Sequence, residues 1–164
     1  MLLKINKFLS SEAVSLTINE NFSIDDEEFL KETGLDKDIL LTGEILKIDD
    51  GTVFTGKIEY TFTDECARCL NKFDRRIETG FQAEIVKKED MESDEIQLVA
   101  ADGTIKMDET IKQLIYLSLP MKSLCSKDCK GICPSCGVNL NIEKCRCENS
   151  ITDPRLEKLK DLLK

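Results

Sequence analysis

The chain has 164 residues, 34% of them charged and 41% hydrophobic, with eight Cys, no His, no Trp and a net charge of −9. That length supports one sizeable core plus a satellite too small to fold on apolar burial alone. No run approaches the roughly 18 apolar residues of a membrane-spanning helix, and the lack of His removes the usual general base, the Cys–His catalytic pair and mixed Cys/His metal sites together.

The first ten residues are broken by Lys4 and Lys7 and hold too short an apolar run for a signal peptide. The expected location is therefore the cytoplasm, where thiols stay reduced and eight cysteines read as metal ligands before they read as four disulfides.

In chain order, Leu2–Phe8 reads as a short extended start. Val14, Leu16, Ile18 and Phe22 then alternate with polar neighbours, the period of a half-buried strand. Ile24–Gly34 reads as a short helix with Ser23 or Asp25 as N-cap and Gly34 at the left-handed C′ position. Ile39–Ile48 is an apolar strand ending at Asp50-Gly51, a dipeptide that favours a tight hairpin turn with positive φ. Phe54, Gly56, Ile58, Tyr60 and Phe62 alternate along the returning strand, and Phe73–Val86 supplies the next, with Phe73, Ile77, Phe81, Ala83 and Ile85 on one face. Cys66-Ala67-Arg68-Cys69 sits between those two strands, at a hairpin tip.

Residues 87–95 form a charged loop, and Ile96–Ala100 with Thr104–Met107 read as a last short hairpin. Asp108 is placed as the cap of a helix over 108–119, whose apolar positions Ile111, Leu114, Ile115, Leu117 and Leu119 pack on the sheet until Pro120 stops it. A cysteine-rich module follows at 121–150. Asp153-Pro154 then opens a C-terminal helix at 151–164 with a stripe of Leu156, Leu159, Leu162 and Leu163. The fold class expected is α+β: a domain at 1–120 with a mainly antiparallel sheet or partly closed barrel and a packed helix, plus a zinc-ribbon-like module and the final helix.

Eight thiolates fall into four close pairs: Cys66/Cys69, Cys125/Cys129, Cys133/Cys136 and Cys145/Cys147. Two tetrahedral four-cysteine zinc sites use all of them, and such closed sites are structural. The tip supplies half a coordination shell while 125–147 holds two thiolates more than one zinc takes. Reach thus groups Cys66, Cys69, Cys125 and Cys129 in one site and Cys133, Cys136, Cys145 and Cys147 in the other. A two-zinc cluster within 125–147 with bridging sulfurs and a cubane iron–sulfur cluster are the alternatives.

Charge is segregated. Residues 20–50 carry eleven acids against three bases and 84–109 carry nine against three, so the positive charge collects beside the cysteines: Arg68, Lys72, Arg75 and Arg76 near the first pair, Lys127, Lys130, Lys144 and Arg146 near the rest. A localised basic patch is the footprint of phosphate contact.

These residues together resemble the YceD family, the bacterial large ribosomal RNA subunit accumulation proteins. The similar elements are Cys66-Ala-Arg-Cys69-Leu70, Leu119-Pro120, the run Leu124-Cys125 through Cys129-Lys-Gly-Ile-Cys133-Pro-Ser-Cys136-Gly-Val-Asn-Leu-Asn141, and Asp153-Pro154-Arg155-Leu156. The resemblance implies a non-enzymatic ribosome-biogenesis factor supporting accumulation or processing of large-subunit (23S) rRNA. On that expectation the partner is the rRNA or a precursor particle, bound through the eight basic residues named above. An adaptor that recruits a basic ribosomal protein or processing enzyme through its acidic surfaces, without touching RNA, is the alternative. A thiol oxidoreductase using the C-x-x-C pairs is a third reading; it requires a strand-to-helix setting that the hairpin and loop context does not offer.

Overall fold

The computed structural model describes residues 2–87 and 96–147; the expected helix at 151–164 and all but Lys87 of the charged loop lie outside them. The chain divides into two compact units. The first takes the chain up to Asp64 and Asp74–Met121; the second joins Glu65–Phe73 to the chain from Lys122 onward. The hairpin tip thus groups with the cysteine module rather than with the strands that carry it.

Seven strands, β1 (Leu2–Lys4), β2 (Ser15–Ser23), β3 (Leu35–Ile48), β4 (Gly51–Glu65), β5 (Lys72–Val86), β6 (Gln97–Ala101) and β7 (Thr104–Lys106), form one sheet in the order β1-β7-β6-β5-β4-β3-β2. Three helices accompany them: α1 (Asn6–Leu9), α2 (Glu27–Thr33) and α3 (Asp108–Ser118). The sheet is mixed rather than wholly antiparallel, because β5 and β6 run parallel through Glu84↔Gln97, Ile85↔Leu98 and Val86↔Val99. A parallel neighbour needs a connection long enough to return the chain to the same end, here made by the chain between Val86 and Gln97.

The long alternating strands bury the side chains their period assigns. Ile39, Leu41 and Ile45 of β3 meet Phe54, Ile58, Tyr60 and Phe62 of β4 in the core, joined by Phe81 and Ala83 of β5 and by Ile111, Leu114 and Ile115 of α3. Phe54 and Phe81 pack edge to face with ring centroids 5.2 Å apart, a preferred aromatic geometry. Gly43 and Gly56 face each other across β3 and β4. A side chain on Gly56 would lie 2.8 Å from the Phe81 ring, and one on Gly43 would lie 2.9 Å from the Phe54 ring. Both glycines are therefore the space those rings occupy.

Several local expectations need correction. The N-terminal stretch is a three-residue strand followed by α1, not one extended segment. Helix α1 has no side-chain cap and is too short to persist alone; Lys47 of β3 holds it by donating to the carbonyls of Phe8 (2.9 Å) and Ser11 (2.6 Å), with the ammonium 4.7 Å from the Phe8 ring centroid. The turn after β3 is Asp49-Asp50 between the paired Ile48 and Gly51, with no positive φ at either residue or at Gly51.

Asp26, not Ser23 or Asp25, caps α2, accepting from the Phe29 N–H at 3.1 Å. Lys112 of α3 donates to the same carboxylate at 2.9 Å, which lowers the Asp26 pKa. Gly34 ends α2 at φ 66° as expected. Asp108 is the first helical residue of α3 rather than its cap, which falls at Met107. Leu117 is 83% exposed and Val14 65%: on a helix of 3.6 residues per turn, position 117 lies off the stripe made by 111, 114 and 115.

Gly56→Ala is expected to cost about 1–3 kcal/mol by overpacking against Phe81. In denaturant unfolding, the double variant Gly56→Ala/Phe81→Leu should lose less than the two single losses combined.

Candidate metal centre

All eight cysteines carry free thiols and lie in the second unit. Cys66, Cys69, Cys125 and Cys129 form one cluster and Cys133, Cys136, Cys145 and Cys147 another, the sulfurs of each lying within 4.8 Å of one another. This is the grouping that reach suggested, and no cluster bridged within 125–147 forms. In the first cluster the Cys66–Cys129 and Cys69–Cys125 sulfurs are 3.7 Å apart. In the second, Cys136–Cys145 spans 3.8 Å and Cys133–Cys145 spans 3.3 Å. A tetrahedron with metal–sulfur bonds of ~2.3 Å has an edge of ~3.8 Å, so the donor sets fit a four-thiolate ion and are far too open for disulfides, whose sulfurs bond at ~2.05 Å.

Two knuckles of the same geometry hold these sulfurs. In Cys66-Ala-Arg-Cys69-Leu70 the Leu70 N–H donates to the Cys66 carbonyl at 2.9 Å, and in Cys133-Pro-Ser-Cys136-Gly137 the Gly137 N–H donates to the Cys133 carbonyl at 2.9 Å. The fifth residue turns left-handed in both, with φ 59° at Leu70 and 73° at Gly137. Glycine takes that conformation freely, whereas a leucine there is strained by about 1–2 kcal/mol. The shared Cys-x-x-Cys spacing aligns Leu70 with Gly137 in the sequence, but the left-handed φ at a leucine shows only in the folded knuckle.

The first cluster is the interior of its unit. Cys66, Cys69 and Cys129 are buried, with Phe73 and Leu124 packed against them. Arg68 Nη1 donates to the Cys129 carbonyl at 2.9 Å, the Ala67 N–H donates to Ser123 O and the Ile132 N–H to Arg68 O, so the tip and the later segment are laced together around the sulfurs. The amide of Asn141 donates to Cys129 Sγ at 3.3 Å while its oxygen accepts from the Lys130 N–H at 2.8 Å. The second cluster is more open: Cys133 is buried, but Cys136, Cys145 and Cys147 are exposed.

Backbone dipoles and crowding split the thiol acidities. The Cys125 N–H pointing at Cys66, helped by those of Arg68 and Cys69, holds the Cys66 thiol down to about 6. The N–H groups of Cys136 and Ser135 hold Cys133 down to about 6. Loss of solvent around its sulfur, then the neighbouring thiols, pushes Cys125 up to about 12 even though the residue as a whole is exposed. The thiols of Cys145 and Cys136 push Cys147 up to about 12. Four thiolates this close repel one another, and a divalent cation is what lets all four ionise together.

The basic residues are less uniform than their clustering in sequence implied. Arg68 is committed to main-chain carbonyls, and Arg76, in the first unit, is ion-paired with Glu59. Lys72, Arg75, Lys127, Lys130, Lys144 and Arg146 are exposed.

Gly137→Ala, which meets no atom within 4 Å, should cost about 1–2 kcal/mol from backbone strain alone. Leu70→Gly, at a position 56% exposed, should stabilise by up to about 1 kcal/mol once the greater freedom of unfolded glycine is allowed for; denaturation of the metal-loaded chain measures both. Because Cys125 and Cys147 carry protons until about pH 12 in the empty sites, metal binding must release protons and tighten as pH rises. Below about pH 6, where Cys66 and Cys133 also take up protons, retention should fall more steeply, as read by metal release across a pH series.

Comparison with known proteins gives these sites a context. A family model described as "Large ribosomal RNA subunit accumulation protein YceD" matches residues 54–163. An uncharacterised protein of Mycobacterium tuberculosis is 33% identical over 121 residues, which is 71% of this chain and 58% of that protein. One of Mycobacterium leprae is 27% identical over 121 residues, 71% of this chain and 55% of its own. The chain thus spans a little over half the length of these mycobacterial relatives. A maize protein named "Large ribosomal RNA subunit accumulation protein YCED homolog 1, chloroplastic" is 36% identical over 56 residues, 34% of this chain and 19% of its own. No solved structure matches. The family model takes in more than half of the chain, with every cysteine of both clusters inside it, and the chain belongs to the YceD family of large ribosomal RNA subunit accumulation proteins.

Proposed function

We propose that this protein is a non-catalytic ribosome-biogenesis factor that holds two structural zinc ions and supports accumulation or processing of large-subunit rRNA by binding the RNA or a precursor particle. The observation that carries the reading is the coincidence of the family match with the cysteine module, a unit organised around two all-thiolate sites and edged by exposed cations. Zinc is the ion of choice for four thiolates in a closed tetrahedron, and such a site leaves no position for a reacting water. Its contribution is to fix the backbone. Lys72, Lys127, Lys130, Lys144 and Arg146 surround that fixed backbone with exposed charge, while Arg68, also exposed, spends its guanidinium on the Cys129 carbonyl. No described helix is long and apolar enough to cross a membrane.

Purified protein should contain close to two zinc ions per chain. Its affinity for large-subunit rRNA should fall with salt, by a slope of about 0.7–0.9 per phosphate contact. Lys127→Glu/Lys130→Glu/Lys144→Glu should weaken binding and flatten that slope. Pull-down before and after nuclease separates RNA contact from the adaptor alternative: partners that survive digestion, with charge reversal without effect, would show that the protein works through protein contacts instead.

A further inference from the structure

The two four-cysteine sites are not independent in their construction. Between them lies a small hairpin, closed by the Ile132↔Asn139 bridge and by main-chain bonds from the Cys133 N–H to Val138 O at 2.8 Å and from the Leu140 N–H to Gly131 O at 2.9 Å. It begins just after Cys129, a ligand of the first site, and its turn carries Cys133 and Cys136, ligands of the second. Asn141 stands at its far end, held by the Ile142 and Glu143 turn on Asn139, and reaches back to donate to Cys129 Sγ at 3.3 Å. The chain continues to Cys145 and Cys147, which close the second site.

A two-residue-wide ribbon of this kind is marginal in water without a staple. Cys133 in its turn and Cys145 beyond its end, with sulfurs 3.3 Å apart, clamp the segment between them, in which Asn141 falls. An N–H donated to a ligating sulfur fixes the ligand's orientation and offsets part of its charge, and such outer contacts govern metal affinity. Asn141 is held locally by Asn139 Oδ1 and by the Lys130 N–H, and filling the second site would in addition fix the segment that carries it. Burial supplies the order of events: Cys66, Cys69 and Cys129 are at most 5% exposed, whereas three of the four ligands of the second site face solvent.

We propose that the two metal sites are thermodynamically coupled through Asn141, so that loss of the ion from the exposed Cys133/Cys136/Cys145/Cys147 site loosens the buried Cys66/Cys69/Cys125/Cys129 site. Asn141 is a positioning residue here, not a ligand. By linkage the coupling is reciprocal. The proposal rests on the two-site reading given above, and the two are tested separately.

The experiment uses the full chain loaded with cadmium-113, whose resonances report each thiolate site individually, and an added chelator to measure retention. A wild-type chain that binds no metal overturns the two-site reading, and with it the coupling, before any variant is made. With two resonances present, Asn141→Asp keeps the acceptor for the Lys130 N–H and removes the donor to Cys129 Sγ and to Asn139 Oδ1. It is expected to shift the first site's resonance and weaken its retention by about ten- to a hundredfold, leaving the second site's resonance in place. Cys145→Ser/Cys147→Ser should weaken the first site by a similar factor. Adding Asn141→Asp to that variant should weaken it no further. Retention at the first site unchanged by Asn141→Asp, or losses that multiply in the combined variant, would overturn the coupling. If the cysteine variant empties both sites, Asn141→Asp with all eight cysteines intact still decides.

Discussion

Four sulfurs meet inside the cysteine module: two from a hairpin tip and two from a segment that follows 56 to 63 residues later. Among the described residues, the interior around those sulfurs adds only Phe73 and Leu124, little apolar burial with which to order the chain. A cross-link closing a loop of that length removes unfolded-state freedom worth on the order of 4 kcal/mol in the chain-entropy picture. An ion held by these sulfurs would take the place of a core, with Arg68, Ala67 and Ile132 laced around it.

The first unit is built on the opposite principle. Its order comes from three long strands whose alternation places aliphatic and aromatic side chains on one face, and from α3 laid over them. Two glycines give up their side chains so that Phe54 and Phe81 can lie across the sheet, and Tyr60 satisfies its hydroxyl on Ser118 at 2.6 Å. Burial raises the Tyr60 pKa, in keeping with a phenol kept neutral and hydrogen-bonded inside the core. Lys47 does for α1 what capping residues in the sequence do not, since it approaches from a strand nearly forty residues away.

Much of this was legible in the sequence, for identifiable reasons. The period of two in β4 and β5 exposed the strands, because one-sided burial writes itself directly into residue order. The division of cysteines followed from counting donors against the coordination number. The parallel β5–β6 pair was not legible, since short apolar strands carry no mark of direction. Nor were Lys47 on α1 or Asn141 on Cys129: Lys47 is a polar strand residue whose partner is distant in the chain, and the contact of Asn141 is revealed only by the folded turn. Leu70 lay hidden for another reason, because its strain belongs to φ, and φ is not written in composition.

The lysines and arginines around the sulfurs bear on more than recognition. Among the described residues of the second unit, Arg68, Lys72, Lys122, Lys127, Lys130, Lys144 and Arg146 stand against Glu65, Asp128 and Glu143, an excess of four positive charges. A divalent ion ligated by four thiolates carries two negative charges, so two filled sites cancel that excess. The loaded module is close to electroneutral as a whole, its cations acting as a counter-ion shell built into the chain. The same module emptied and protonated is strongly cationic. Filling the two sites would thus remove the module's positive excess, so that any phosphate contact by the filled module would turn on where its charges stand, not on how many there are.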